Sequence, residues 1–183
     1  MSVTITKPDA SEYDPYYGNY IASVPAGDLF GLLESQGEET FALLSGLPED
    51  RGGFRYAPGK WSIKDLVQHL SDSERVFAYR ALRFGRGDET PLASFDQDPY
   101  AAAARAERWP LAQLATELRD IRRATLALAR SFDGAELLRS GVASGARMSV
   151  RALFWVIAGH EQHHLRVLRE RYLASPAEAV RQG

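Results

Sequence analysis

The sequence predicts an all-α protein, a four-helix bundle with an N-terminal arm and a long loop after the second helix. Three observations carry this. Four long stretches place apolar side chains at helical spacing. Strand signals are limited to short pieces such as Ser2–Thr6, and no segment repeats another. Four amphipathic helices with nothing else to pack on bury their stripes against one another. The expected organisation is an arm over 1–26 packed on the domain, the bundle over 27–174 and a tail over 175–183.

The arm is polar and aromatic, and Pro8, Pro15, Gly18 and Pro25 break any period. Its cluster of Tyr13, Tyr16, Tyr17 and Tyr20 suggests a segment that packs on the body; a substrate or dimer contact is the other reading. The first helix is expected from Asp28 to Leu44, on a face of Leu29, Leu32, Leu33, Phe41 and Leu44, with Gly46 and Pro48 ending it. Gly31 and Gly37 weaken this helix and point to close packing on its inner side. Residues 48–60 read as a loop. Ser62 with Asp65 then resembles a capping box, and Ile63, Leu66, Val67, Leu70, Phe77, Ala81 and Phe84 form the stripe of a second helix ending near Gly85 to Gly87. The loop that follows, to Tyr100, is long enough to suggest a functional role. Ala101–Trp109 can make a short helix. A third long helix is expected from Leu111 to Phe132, with Pro110 in its first turn and Leu111, Leu114, Leu118, Ile121, Thr125, Leu128 and Phe132 inward. After a connection with one short turn around Ala135 to Arg139, Ser149 caps a fourth helix to Leu173. Its stripe runs through Val150, Leu153, Phe154, Ile157, Leu165 and Leu168.

At 183 residues, 45% apolar and 25% charged, the chain is ordinary for one soluble domain. A net charge of −2 gives no reason to expect nucleic acid or an anionic membrane as partner. The first twenty residues lack the pattern of a signal peptide, and no run reaches the length of a membrane span. A cytoplasmic location is the expectation. There is no cysteine, which removes disulfides, Fe–S clusters, thiolate zinc sites and a cysteine nucleophile. Any metal must be held by His, carboxylate and water, and any thiol must arrive with a cofactor or substrate.

Three of the four histidines lie in the last helix. His160 and His164, four apart, are separated by about 40° on one face, the spacing by which a helix offers two imidazoles to one ion. His69 sits on an inward shoulder of the second helix and makes a third nitrogen donor. Three ligands are the pattern of a catalytic rather than a structural site, and an all-imidazole set suits zinc, nickel, iron or copper. The same spacing also fits histidines merely packed or hydrogen-bonded on a bundle shoulder. Glu161 falls inside the apolar stripe, where an unpaired carboxylate is costly. It can accept the N–H of a ligating imidazole, or be buried against an arginine. His163 lies near the rim, as a solvent-facing imidazole, a proton shuttle or a substrate contact. Arg80 and Glu74 lie on edges of the second helix. An ion pair of Arg80 with an acid such as Glu74 or Asp120 is the main reading, and contact with an anionic substrate the other.

Two stretches resemble the DinB-like, YfiT-like bundle proteins, a family described as metal-dependent hydrolases and thiol S-transferases. They are APGKWSIKDLVQHLSDSERVFAYRALRFGRGDETPL (57–92) and SVRALFWVIAGHEQHHLRVLRERYL (149–173), about a third of the chain. The resemblance implies His69, His160 and His164 as ligands of a divalent metal, zinc or nickel first and iron next, in a bundle with a crossover connection that is commonly a homodimer. It implies a metal-dependent enzyme on a small molecule, with transfer to a low-molecular-weight thiol such as bacillithiol or mycothiol slightly favoured. Hydrolysis by a metal-activated water is the alternative, and a non-enzymatic, metal-stabilised, stress-related dimer the second alternative.

Overall fold

The structure, a computed structural model, describes residues 4–174; the expected tail over 175–183 lies outside them. Four long helices form the bundle: α2 (Leu29–Ser45), α3 (Ile63–Gly85), α5 (Leu111–Arg130) and α7 (Val150–Val167). Each starts where local chemistry allows. Asp28 accepts from the Phe30 amide, Ser62 and Asp65 close a reciprocal capping box, and Ser149 accepts from the Ala152 amide. Pro110 occupies the N-cap of α5 rather than its first turn. Around the bundle α2 packs on α5, α5 on α3 and α3 on α7. No helix among the described residues is long and apolar enough to cross a membrane.

The expected stripes of α3 and α7 are buried at every position named. In α5 the inward face is turned slightly from expectation. Ile121 and Leu128 are half-buried, while Arg122, Leu126 and Ala129 are buried. The core consists of two apolar clusters, one around Leu33, Phe77, Leu126 and Ile157 and one around Leu44, Leu70, Leu118 and Leu165. Between them lies a polar layer centred on Arg122.

Three features lie outside the sequence-based expectation. A short helix α1 (Gly18–Ser23) forms in the arm and packs on α7. A hairpin forms from β1 (Ser140–Ala143) and β2 (Ala146–Ser149), antiparallel with Ser140 opposite Ser149 and Ala143 opposite Ala146. Its two-residue turn, Ser144–Gly145, has φ of 56° and 80°, the left-handed pair that suits a tight hairpin. Finally, α7 changes to π-helical winding over Leu168–Leu173. There the carbonyl of Tyr172 accepts from Arg51 and its hydroxyl donates to the Trp61 carbonyl. The loop after α3 is partly helical as α4 (Gln97–Ala104), and a short α6 (Gly134–Leu138) stands at the expected turn. The same loop is pinned to the hairpin, because Leu92 N donates to the Val142 carbonyl and Ser144 N to the Leu92 carbonyl.

The arm is held on α7 by contacts of several kinds. Ile5, Ile21 and Val24 are buried, Trp155 Nε1 donates to the Ile5 carbonyl, and Arg151 pairs with Glu12. Gly159 makes the closest approach possible, since a Cβ there would lie 2.1 Å from the Tyr20 carbonyl oxygen. Gly159→Ala should therefore destabilise the fold by about 1–3 kcal/mol, as overpacking does, and expose the arm to limited proteolysis before the bundle unfolds. The Glu12 carboxyl is held down at about 2 from its ordinary 4.5, chiefly by its hydrogen bond with Arg151. Its contribution is then complete above about pH 4.5 and lost as the pH falls toward 2. Because the pair is partly solvated, Glu12→Gln should cost under about 1 kcal/mol at pH 7. Chemical denaturation at a series of pH values should show that difference shrinking below pH 4.5.

Candidate metal centre

His69 stands in the second turn of α3, and His160 and His164 stand one turn apart near the end of α7. Packing of α3 on α7 brings the three rings together. Nε2 of His160 lies 3.1 Å from Nε2 of His69 and 3.2 Å from Nε2 of His164. One ligand nitrogen from each residue lies within 4.8 Å of the others. His69 and His160 are buried and His164 half-buried.

Burial removes the positive form of all three. It lowers His69 to about 4 and, with the neighbouring His69 and His163, His164 to about 3. His160 is driven well below its ordinary value by burial first and then by His164 and His69. Three neutral imidazoles at neutral pH are three nitrogen donors. Each Nε2 has one in-plane position for a proton or a lone pair, so protons shared among the rings cannot satisfy the whole convergent set. Three nitrogens at about 2.0–2.1 Å from a tetrahedral ion would lie about 3.4 Å apart. The observed 3.1 and 3.2 Å are close to that edge. The donor set fits a divalent cation.

The surroundings hold the rings in place. Trp61 packs on His69 at 4.7 Å between ring centroids, and Tyr20 meets His160 edge-on at 5.5 Å. Ser73, one turn on from His69, has its hydroxyl 3.4 Å from His69 Nδ1, which suits an Nδ1–H tautomer with Nε2 free as the donor atom. His163 lies behind Tyr20, at 5.4 Å ring to ring, with Nδ1 facing Arg166 at 3.4 Å. It is half-buried and outside the convergent trio.

Glu161 resolves toward the arginine. Its Oε2 accepts from Arg122 Nη2 at 2.6 Å and its Oε1 accepts from Thr40 at 2.6 Å. Arg122 also donates to both oxygens of Glu74 at 2.8 Å and to the Leu33 carbonyl at 3.0 Å. Burial works against the Arg122 charge, but the carboxylates of Glu161 and Glu74 outweigh it and hold the guanidinium protonated. Two carboxyl groups thus share one guanidinium in this layer. A void of about 10 Å³ touches Glu74, Glu161 and His160 together. The layer thus stands directly behind His160.

Arg80 forms neither expected ion pair. Glu74 is engaged by Arg122 and Asp120 by Arg123. Arg80 instead donates from Nη2 to the Ala93 carbonyl and the Ser144 hydroxyl. It lines a cleft of about 430 Å³ that reaches His69 and His160. The cleft walls come from the arm (Tyr16, Tyr17, Tyr20), the loop after α3 (Ser94, Phe95) and the hairpin (Ala143, Ser144). Sequence gives no site role to Trp61, Ser73 or Arg122, and names Tyr20 only within the arm's tyrosine cluster. For Arg122 a signal existed: it stands four residues after Leu118 and four before Leu126, on the buried face.

The chain is similar to known proteins in sequence family and in fold. A sequence-family profile described as the DinB superfamily matches residues 32–168. A protein of Oceanobacillus iheyensis named "Putative metal-dependent hydrolase" is 30% identical over 112 residues, which cover 60% of this chain and 64% of that one. The fold is similar to YfiT from Bacillus subtilis, whose structure is described as a probable metal-dependent hydrolase with an unusual four-helix bundle topology. That match has a TM-score of 0.68 at 16% identity, over 89% of this chain and 91% of YfiT.

The buried layer has a measurable weight. Arg122→Met would leave two carboxylates in the core without their counter-charge, so it should cost about 3–5 kcal/mol, read as a fall in denaturation midpoint. The double replacement of Glu74 and Glu161 by Gln in the Arg122→Met background should recover part of that loss, because the uncompensated charge is gone.

Proposed function

The chain belongs to the DinB superfamily, and we propose that it is a metal-dependent enzyme acting on a small molecule, with His69, His160 and His164 as the metal ligands. The convergence of three neutral Nε2 atoms, two of them on residues that line an open cleft, carries this reading. The names of the relatives favour hydrolysis. The narrower reading, transfer to a low-molecular-weight thiol, rests on the resemblance of the histidine motifs, and the chain, having no cysteine, would take that thiol from a cofactor.

A divalent cation held there would act as a Lewis acid and lower the pKa of a water or thiol to near neutrality. The chain's own residues have separate tasks. His69 and His160 face the cleft, so a small molecule can reach the site between α3 and α7. Trp61 and Tyr20 cover the rings with apolar surface and limit access by bulk water. Ser73 stands beside Nδ1 of His69, where its hydroxyl can accept the Nδ1–H and leave Nε2 as the donor atom. The Tyr20 phenol, pushed up to about 12 by burial and then by Tyr16, keeps its proton and can donate a hydrogen bond into the cleft. A site without turnover would be closed by a fourth protein ligand or sealed from solvent. Among the described residues the convergent group has three members, and the cleft is open.

Protein purified without a histidine tag should carry about one divalent ion per chain by elemental analysis. Chelation with EDTA should lower the melting temperature by about 5–10 °C, the scale of a ligand lost from far above its dissociation constant. His164→Ala should lose the metal and that EDTA sensitivity together. Ester and amide hydrolysis, and conjugation of bacillithiol, mycothiol or glutathione to monochlorobimane, separate the two chemistries. Either activity should fall at least about 100-fold in His69→Ala or His164→Ala. Full metal occupancy with neither activity would favour the non-enzymatic reading.

A further inference from the structure

We infer that the cleft takes a small molecule bearing an oxyanion, a carboxylate or phosphate, and that Arg80 is the residue that recognises it. This names a substrate class for the proposed enzyme and rests on that reading for the reactive end of the molecule alone; the anion end stands on Arg80.

Arg80 is 2% exposed, a burial close to that of Arg122 at 3%. The two differ in company. Arg122 has two carboxylates, while no carboxylate among the described residues lies within 4.0 Å of Arg80. Its hydrogen bonds, 3.2 Å to the Ala93 carbonyl and 2.9 Å to the Ser144 hydroxyl, both leave from Nη2 and both reach neutral acceptors. A guanidinium has five N–H donors, so donors beyond those given to the loop, the hairpin and the Tyr17 phenol remain for the cleft it lines. A buried cation without a counter-charge is costly. The face of Phe77, 6.0 Å from the guanidinium carbon, offsets part of that cost.

The acids of the cleft do not supply the missing charge. Asp14 accepts from the Tyr16 amide and Asp96 from the Asp98 amide, each as a turn or helix cap. The phenol of Tyr17 is the near neighbour: burial raises its pKa, and the Arg80 charge and a hydrogen bond from Arg80 oppose that rise. It stands as a second donor beside the guanidinium. From Arg80 to the Phe77 ring is 6.0 Å, and from that ring to the His160 ring is 5.9 Å. The guanidinium and the histidine cluster are therefore no more than about 12 Å apart within one cleft. Arg80 also holds the two added walls together, because its acceptors belong to the loop after α3 and to the hairpin turn. A molecule with an anionic end on Arg80 would place its other end toward His69 and His160. The aromatic rings of Tyr17, Phe77 and Phe95 suit a flat or apolar body between.

The test titrates benzoate into the full-length protein, with benzamide as its neutral counterpart and inorganic phosphate as a second anion. Binding is followed through the Arg80 Nε–Hε signal of the wild-type protein and by ligand-observed NMR. Benzoate should move the Arg80 signal and benzamide should not. Arg80→Met should weaken benzoate binding at least about tenfold and Arg80→Lys about three- to tenfold, because lysine keeps the charge and loses the fork. His69→Ala should leave it within about twofold. Phosphate competing with benzoate, with the same Arg80 dependence, would widen the class to phosphate esters; phosphate without effect would restrict it to carboxylates. Equal binding of benzoate and benzamide, or a wild-type Arg80 signal that benzoate does not move, would overturn the assignment. So would loss of benzoate binding in His69→Ala, which would put the anion on the histidine site. Arg80-dependent binding in a protein that carries no metal would keep the anion site and sink the metal reading. The wild-type signal decides the matter even if Arg80→Met fails to fold.

Discussion

Arg122 donates to Glu74 on α3, to Glu161 on α7 and to the Leu33 carbonyl on α2, so one guanidinium from α5 is hydrogen-bonded to each of the other long helices. Thr40 completes the ring by donating to Glu161. Apolar side chains can slide past one another at small cost, but this layer has one good arrangement. A shift of any helix by a turn would leave a charge buried and unpaired, at several kcal/mol. The layer lies between the two apolar clusters and fixes the registry in which they pack. Gly37 belongs to the same constraint, since a Cβ there would stand 2.9 Å from Arg122 Cγ.

The site inherits its geometry from that registry. Glu74 and His69 share α3, and Glu161 and His160 share α7, so tying the two carboxylates to one guanidinium also sets the height at which the imidazoles meet. The layer then borders His160, where the three neutral nitrogens converge. On the other side the bundle is bare, and the cleft is made from parts added to it: the tyrosines of the arm, the loop after α3 and the hairpin. Gly159 lets the arm come close enough to lay Tyr20 across His160. Arg80 binds loop to hairpin by neutral acceptors and keeps its charge for the cleft.

Much of this was legible in the sequence. The four helices could be read because their stripes are long and their caps strong, as at Ser62 and Ser149. His69, His160 and His164 could be selected because the first two lie on inward helical shoulders and His164 near the middle of the apolar stripe. The hairpin was not legible: four-residue strands carry too little alternation, and the Ser144–Gly145 signal lacked flanking strands long enough to confirm it. Nor was the fate of the buried charges. Periodicity placed Glu161 inside, yet choosing between an imidazole and an arginine required knowing what faced it.

Sequence alone determined the fold class and the three histidines as a candidate site, because helical period and residue chemistry are local properties of the chain. Only the tertiary structure decided which charges meet. Arg122, not Arg80, received Glu74, because α5 presents Arg122 at the height of both carboxylates. Arg80 stands six residues after Glu74 on α3, where the loop and the hairpin offer neutral oxygens. Pairing across helices depends on their relative height and rotation, which no stretch of the chain carries by itself.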